Sequence, residues 1–250
     1  MKKIFFKYFL KRFEIWRFKA YNNLRNNIWQ VIIMSRYKLC IFDMDGTILD
    51  TLQDLYLSTN FALKKNSLPE RKLEEVKNFV GNGIRKLIER AVPENSDEET
   101  INRVFNDFNG YYKIHCADNT KAYPDIKETL LRLKNEGILT AVLSNKADYA
   151  VKELSNRYFG GIFDISQGAK ENIRIKPFPD AVFEIMEKLD IKKEETVYIG
   201  DSEVDIKTAE NAGVDCISVD WGFKTKQFLK DHGAKRIVST SAELFKEIRG

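Results

Sequence analysis

The chain has 250 residues, with 41 Lys and Arg against 37 Asp and Glu, a formal net charge of +4, 43% hydrophobic residues and 31% charged ones. These proportions exclude a disordered or collagen-like chain, and the length allows a sizeable core with a smaller attached domain. Three scattered cysteines, Cys40, Cys116 and Cys216, are too few for a disulfide framework or a paired-cysteine zinc site, and they suit a reducing cytoplasm.

The charge is concentrated at the start. Residues 1–34 carry eight basic groups and one acid, Glu14, so the remaining 216 residues have a net charge of −3. Phe6, Phe9, Phe13, Trp16, Ala20, Leu24 and Ile28 recur at helical spacing with Lys and Arg between them, which describes a basic amphipathic helix. Charges interrupt it too often for a secretory signal or a membrane span. It could lie on an anionic membrane surface or dock a partner. It could equally be an appendage upstream of a start at Met34, which is followed by an ordinary enzyme-like opening. Any membrane contact would therefore come through residues 1–34 alone. The whole-chain charge gives no sign of nucleic-acid binding by the rest.

From Lys38 onward, short apolar runs alternate with helical patterns. Strands are predicted at 39–42, 139–143, 196–199, 216–219 and 236–238, and helices at 125–135, 148–157, 179–189 and 204–211. The strand runs are nearly continuous in apolar residues, as strands buried on both faces of a parallel sheet are. Their alternation with helices predicts an α/β fold, a Rossmann-like doubly wound parallel sheet. Residues 54–118 break the pattern, with helices at 54–66, 73–79, 83–91 and 97–115. They predict a helical cap domain inserted after the first strand. The organisation is then an extension over 1–34, a core from 35–53 and 119–250, and a cap over 54–118.

The chemistry-bearing residues stand at strand ends, where open α/β sheets bind ligands. The first strand runs into Asp43-Met44-Asp45-Gly46-Thr47, a carboxylate pair followed by a glycine turn. The third ends in Gly200-Asp201-Ser202-Glu203-Val204-Asp205, with two more carboxylates. Converging carboxylates make a hard oxygen site that suits Mg²⁺. The second strand ends in Ser144-Asn145-Lys146, offering a hydroxyl near a helix N-terminus. Lys176-Pro177 places a lysine before a Pro-initiated helix, where its ammonium can neutralise a phosphate.

In this order, the four segments closely resemble those of the haloacid dehalogenase-like hydrolase superfamily. The resemblance implies that Asp43 is the nucleophile and Asp45 the general acid and base. It also implies that Ser144, Asn145 and Lys176 hold the phosphoryl group. Mg²⁺ would be bound by Asp43, the backbone carbonyl of Asp45 and Asp201, with Asp205, Gly46 and Thr47 in support. An Asp at position 45 favours phosphate esters over halides and phosphonates.

Residues 36–248 are similar to bacterial phosphoglycolate phosphatases in particular. Gly81, Asn82, Gly83 and Arg85 resemble the cap loop that encloses substrate there. The same glycines could simply make an interhelical turn, and Arg85 could bind a substrate carboxylate or lie in solvent. His115 reads as a helix-surface residue before a catalyst, and Trp221 as packing. The implied partner is a small phosphorylated metabolite, hydrolysed by a cytoplasmic monomer or homodimer. Another phosphohydrolase, a phosphomutase, or an interaction protein carried by the basic helix are the alternatives. Residues 34–250 alone are expected to be soluble and active. Expressing that truncation checks this, and insolubility or loss of turnover would assign the 33 residues removed an essential part.

Overall fold

The computed structural model describes residues 35–250, and the amphipathic stripe in residues 1–34 lies outside the described residues. In chain order the strands are β1 (Leu39–Phe42), β2 (Leu49–Asp50), β3 (Lys121–Ala122), β4 (Leu139–Ala147), β5 (Ile165–Ala169), β6 (Thr196–Gly200), β7 (Asp215–Val219) and β8 (Ile237–Val238). The helices are α1 (Leu52–Lys65), α2 (Leu73–Phe79), α3 (Gly83–Ala91), α4 (Glu98–His115), α5 (Ile126–Asn135), α6 (Asp148–Phe159), α7 (Asp180–Leu189), α8 (Glu203–Ala212), α9 (Lys226–Asp231) and α10 (Ser241–Arg249).

Six strands form one parallel sheet in the order β5-β4-β1-β6-β7-β8. β1 is central and wholly buried. Its alternate residues face opposite cores, as a period of two requires. Leu39 and Ile41 pack with Val182 and Ile185 of α7 and Ala209 of α8. Cys40 and Phe42 belong to the cluster that holds Leu130 of α5, Leu154 of α6 and Leu244 of α10. Helices on both faces make the sheet doubly wound, as the alternation of apolar runs and helices predicts.

Every predicted strand and helix is present, with helix ends within two residues of expectation. β5 was not predicted. Its sequence, Ile165-Ser166-Gln167-Gly168-Ala169, lacks an apolar run because it occupies a sheet edge. The helix after Lys176 is not initiated by Pro177. It begins at Asp180 with Pro179 at its N-cap, and Pro177 lies in the preceding turn.

Helices α1 to α4 form the insertion between β2 and β3. Asp97 caps the longest of them, its side chain accepting from Thr100 N at 2.8 Å. The chain enters and leaves the insertion through β2 and β3, which pair antiparallel. Asp54, at the start of α1, fixes this crossing. Its buried carboxylate accepts from the backbone N–H groups of Asn119 and Thr120, the Asn119 amide and the Thr120 hydroxyl, at 2.7–3.0 Å. Removing it strands several donors at once, each costing about 1–3 kcal/mol. Asp54→Ala is therefore expected to destabilise the fold by roughly 3 kcal/mol or more and lower Tm by about 6 °C or more. Thermal unfolding followed by circular dichroism measures this, and an unchanged Tm would show that the clasp carries no stability.

Candidate active site

The register of β1 brings three strand ends to one level. Phe42 stands opposite Val142 on one side and Ile199 on the other. Asp43 follows at once, and Ser144 and Asp201 lie one residue further along their strands, so all three emerge at the same end of the sheet. Asp43 N extends the pairing by donating to Ile199 O at 2.8 Å. β4 shifts register against β5 between Leu143 and Ala147, as strands beside active sites often do.

Close packing of acids is possible because glycines surround them. Gly46 adopts φ +82, which a side chain would resist, and a Cβ there would overlap the Asp201 carboxylate. A Cβ at Gly222 would strike the same carboxylate, and one at Gly200 would strike Asp205. Asp43, Asp201 and Asp205 are all buried, and each places a carboxylate oxygen within 4.8 Å of the others. Asp201 accepts from the Thr47 hydroxyl at 3.2 Å and from Phe223 N at 2.7 Å. Asp205 accepts from the Ser202 hydroxyl at 2.6 Å and from Ser202 N at 3.1 Å, so it also caps α8.

Lys176 offsets part of this charge. Its ammonium lies 2.9 Å from Asp43 and 2.7 Å from Asp205. Burial pushes the Asp43 carboxyl up; Lys176 opposes that, Asp205 and Asp45 add to it, and the pKa reaches about 7. Burial, then Asp205 and Asp43, carry Asp201 well above the usual carboxylate range. Burial alone would lower the Lys176 pKa, but Asp205 and Asp43 outweigh it and hold the ammonium charged. Burial and mutual repulsion thus hold Asp43 and Asp201 toward the protonated form, and ionising them all beside one lysine would leave the cluster short of positive charge. Its all-oxygen donor set suits a hard divalent cation.

Asp45 has a separate set of partners. Its Oδ1 accepts from the Thr51 hydroxyl at 2.5 Å and lies 3.1 Å from the Lys146 ammonium. Lys146 is itself buried and donates to the Tyr112 hydroxyl of α4 at 2.6 Å. Asn145 forms a second link to the insertion. Its amide donates to Gly81 O and to Lys176 O, and its carbonyl accepts from Lys176 N at 2.8 Å.

The site opens on one cavity of about 40 Å³, which Gly81, Gly83, Ile84 and Leu87 of the insertion also line. Asp43, Asp45, Ser144, Asn145, Lys176 and Asp201 all reach it. Asn82 and Arg85 do not: Asn82 accepts from Arg90 at 2.9 Å, and Arg85 is held by Glu89, Glu98 and Asn102. His115 stacks on Tyr111 and pairs with Asp118 on the surface of the insertion. Trp221 donates its indole N–H to Thr47 O at 3.0 Å, which steadies the turn after Asp45. Sequence reasoning gave no site role to Lys146, Thr51 or Tyr112. The available signal was that Lys146 directly follows Ser144-Asn145 on the same strand.

The haloacid dehalogenase-like hydrolase family profile matches residues 40–219. A phosphoglycolate phosphatase of Mannheimia succiniciproducens is 32% identical over 221 residues, covering 85% of this chain and 98% of that protein. A protein of Caldanaerobacter subterraneus named as a candidate pyrophosphatase is also 32% identical, over 84% of this chain and 94% of its own length. A crystal structure from Lactobacillus delbrueckii, described as a candidate phosphoglycolate phosphatase, superposes with a TM-score of 0.81 at 38% identity, covering 86% of this chain and 99% of that one. With a family profile over most of its length and the matching strand-end residues gathered in one cavity, this chain is an enzyme that belongs to the haloacid dehalogenase-like hydrolase family.

Proposed function

We propose that the chain is a Mg²⁺-dependent phosphatase that hydrolyses a small phosphate monoester through an aspartyl phosphate at Asp43, with 2-phosphoglycolate as its preferred substrate. The observation that carries this is the grouping of Asp43 with the Lys176 ammonium at 2.9 Å and with the Asp201 and Asp205 carboxylates. It unites a nucleophile, a cation for the phosphoryl oxygens and a donor set for a metal. Relatives named as phosphoglycolate phosphatases support the substrate, and the small cavity suits a short one. The three free cysteines accord with a cytoplasmic enzyme.

Met44 N and Lys176 both engage Asp43 Oδ1, which leaves Oδ2 for attack on phosphorus. Asp45 gives a proton to the ester oxygen as the P–O bond breaks, and the alcohol leaves. Asp45 then takes a proton from the water that attacks the aspartyl phosphate, releasing inorganic phosphate and restoring Asp43. Ser144 and Lys176 hold the phosphoryl oxygens as charge shifts onto them. Asp43, the Asp45 carbonyl and Asp201 would hold Mg²⁺, with Asp205 orienting Lys176 beside them. When bound, the ion supplies positive charge that lets an anionic nucleophile approach an anionic phosphoryl group. Helices α1 to α4 act as the cap over this chemistry, with Gly81 and Gly83 as its contact loop.

Asp43→Asn is expected to reduce p-nitrophenyl phosphate hydrolysis to background without lowering Tm, because the variant also removes one charge from a repelling cluster. Near-normal turnover would overturn the mechanism. EDTA should abolish wild-type hydrolysis and added Mg²⁺ should restore it, while EDTA-resistant turnover would remove the metal from the reading. Measuring kcat/KM for 2-phosphoglycolate, pyrophosphate, sugar phosphates and nucleotides then tests the substrate.

The Asp43 pKa of about 7 lies above its ordinary value of 3.8. The folded chain thus binds a proton that the unfolded chain has released, and the metal-free fold loses stability as pH rises from about 4 to 7. Mg²⁺ requires the ionised carboxylate. The rise in Tm on adding Mg²⁺ should therefore be larger at pH 8 than at pH 6, and an equal rise at both would contradict the shift.

A further inference from the structure

Two buried lysines stand in the cavity, and their surroundings differ. Lys176 lies between two carboxylates, Asp43 and Asp205. Lys146 has one carboxylate, Asp45, at 3.1 Å, and its second partner is the neutral Tyr112 hydroxyl at 2.6 Å. An ammonium has three donors, so among the described residues Lys146 has the capacity for one further anionic partner. The pairing also assigns the lysines to different parts of a substrate. Lys176 stands with the nucleophile, on the phosphoryl side. Lys146 stands with Asp45, the residue that protonates the departing oxygen, and so faces the alcohol.

We propose that Lys146 recognises a substrate carboxylate, selecting phosphate esters in which the carbon bearing the ester oxygen also carries a carboxylate. This rests on the phosphatase reading of the same site. In such an ester, two bonds separate the leaving oxygen from the carboxylate carbon. A group that contacts Asp45 through that oxygen brings its carboxylate beside the Asp45 neighbour, Lys146. Lys146 would then sit between two carboxylates, as Lys176 already does. The other cations are placed less well. Lys224 lines the cavity, but its ammonium lies over the Phe228 ring, 5.3 Å from its centroid. Arg85 is tied to Glu89 and Glu98 outside the cavity. Leu55, Ile84 and Leu87 supply apolar walls to the cavity that Lys146 lines, where a charge pair is screened less than in water.

The test compares 2-phosphoglycolate with ethyl phosphate, which has the same carbon count and no carboxylate, using the full chain with Mg²⁺. The wild type should prefer 2-phosphoglycolate in kcat/KM. Lys146→Met should lower activity on both, because Asp45 loses a partner, but should collapse that preference about 10- to 100-fold, the loss expected of a charged hydrogen bond. The collapse should fall mainly on KM for 2-phosphoglycolate, and Lys146→Arg should restore part of it. Equal losses on both esters would overturn the proposal and make Lys146 a positioning residue for Asp45. If Lys146→Met does not fold, the wild type still decides: hydrolysis of both esters without preference refutes carboxylate recognition while leaving the phosphatase reading intact. Hydrolysis of neither ester, nor of p-nitrophenyl phosphate, refutes both.

Discussion

Like charges confined in a buried space demand compensation, and the site of this enzyme is organised by that demand. Asp43, Asp201 and Asp205 share a volume small enough for their oxygens to lie within 4.8 Å of one another. Such a cluster survives only where hydrogen bonds and cations meet it. Each compensating group comes from a different part of the chain: Lys176 from the segment before α7, Thr47 from the turn after β1, Ser202 from the start of α8 and Phe223 N from the loop after β7. The glycines at 46, 200 and 222 are the steric counterpart, since any side chain at these points would displace an acid. The central parallel sheet thus serves electrostatics as much as packing. It holds strand ends in register so that repelling groups cannot drift apart.

The same principle connects the helical insertion to the sheet. Tyr112 reaches Lys146, and Gly81 O accepts from Asn145. Both links meet β4 at the two residues that follow Ser144. The insertion therefore contacts the chemistry through polar groups on a single strand, with Ile84 and Leu87 excluding water beside them. Withdrawal of the insertion would expose Lys146 and free Asn145 together.

Much of this was legible in the sequence. β1 could be placed because both its faces are buried, leaving an unbroken apolar run, and the acids after it stand at a strand end by necessity. The helices of the insertion showed their own periodicity. Three features were hidden for physical reasons. β5 is a polar edge strand, so hydrophobic patterning is silent about it. Lys146 looks like any lysine after a strand, and only its contact with an α4 side chain shows that it is buried. Arg85 matched a substrate loop by position, yet Glu89 on its own helix and Glu98 on the next draw the guanidinium away. Local patterns set the scaffold, whereas partners distant in sequence decide which charged groups enter the cavity.

The crossing at β2 and β3 has a wider consequence. Because the two strands pair and Asp54 clasps residues 119 and 120, the insertion begins and ends at one point on the surface of the sheet domain. The sheet is therefore tolerant of the length of what is looped out there, since closing a longer excursion costs only logarithmically more. Selection can exchange or remodel the insertion, and with it the shape of the leaving-group pocket, while the phosphoryl chemistry beneath stays fixed. Specificity in such a scaffold is a replaceable part.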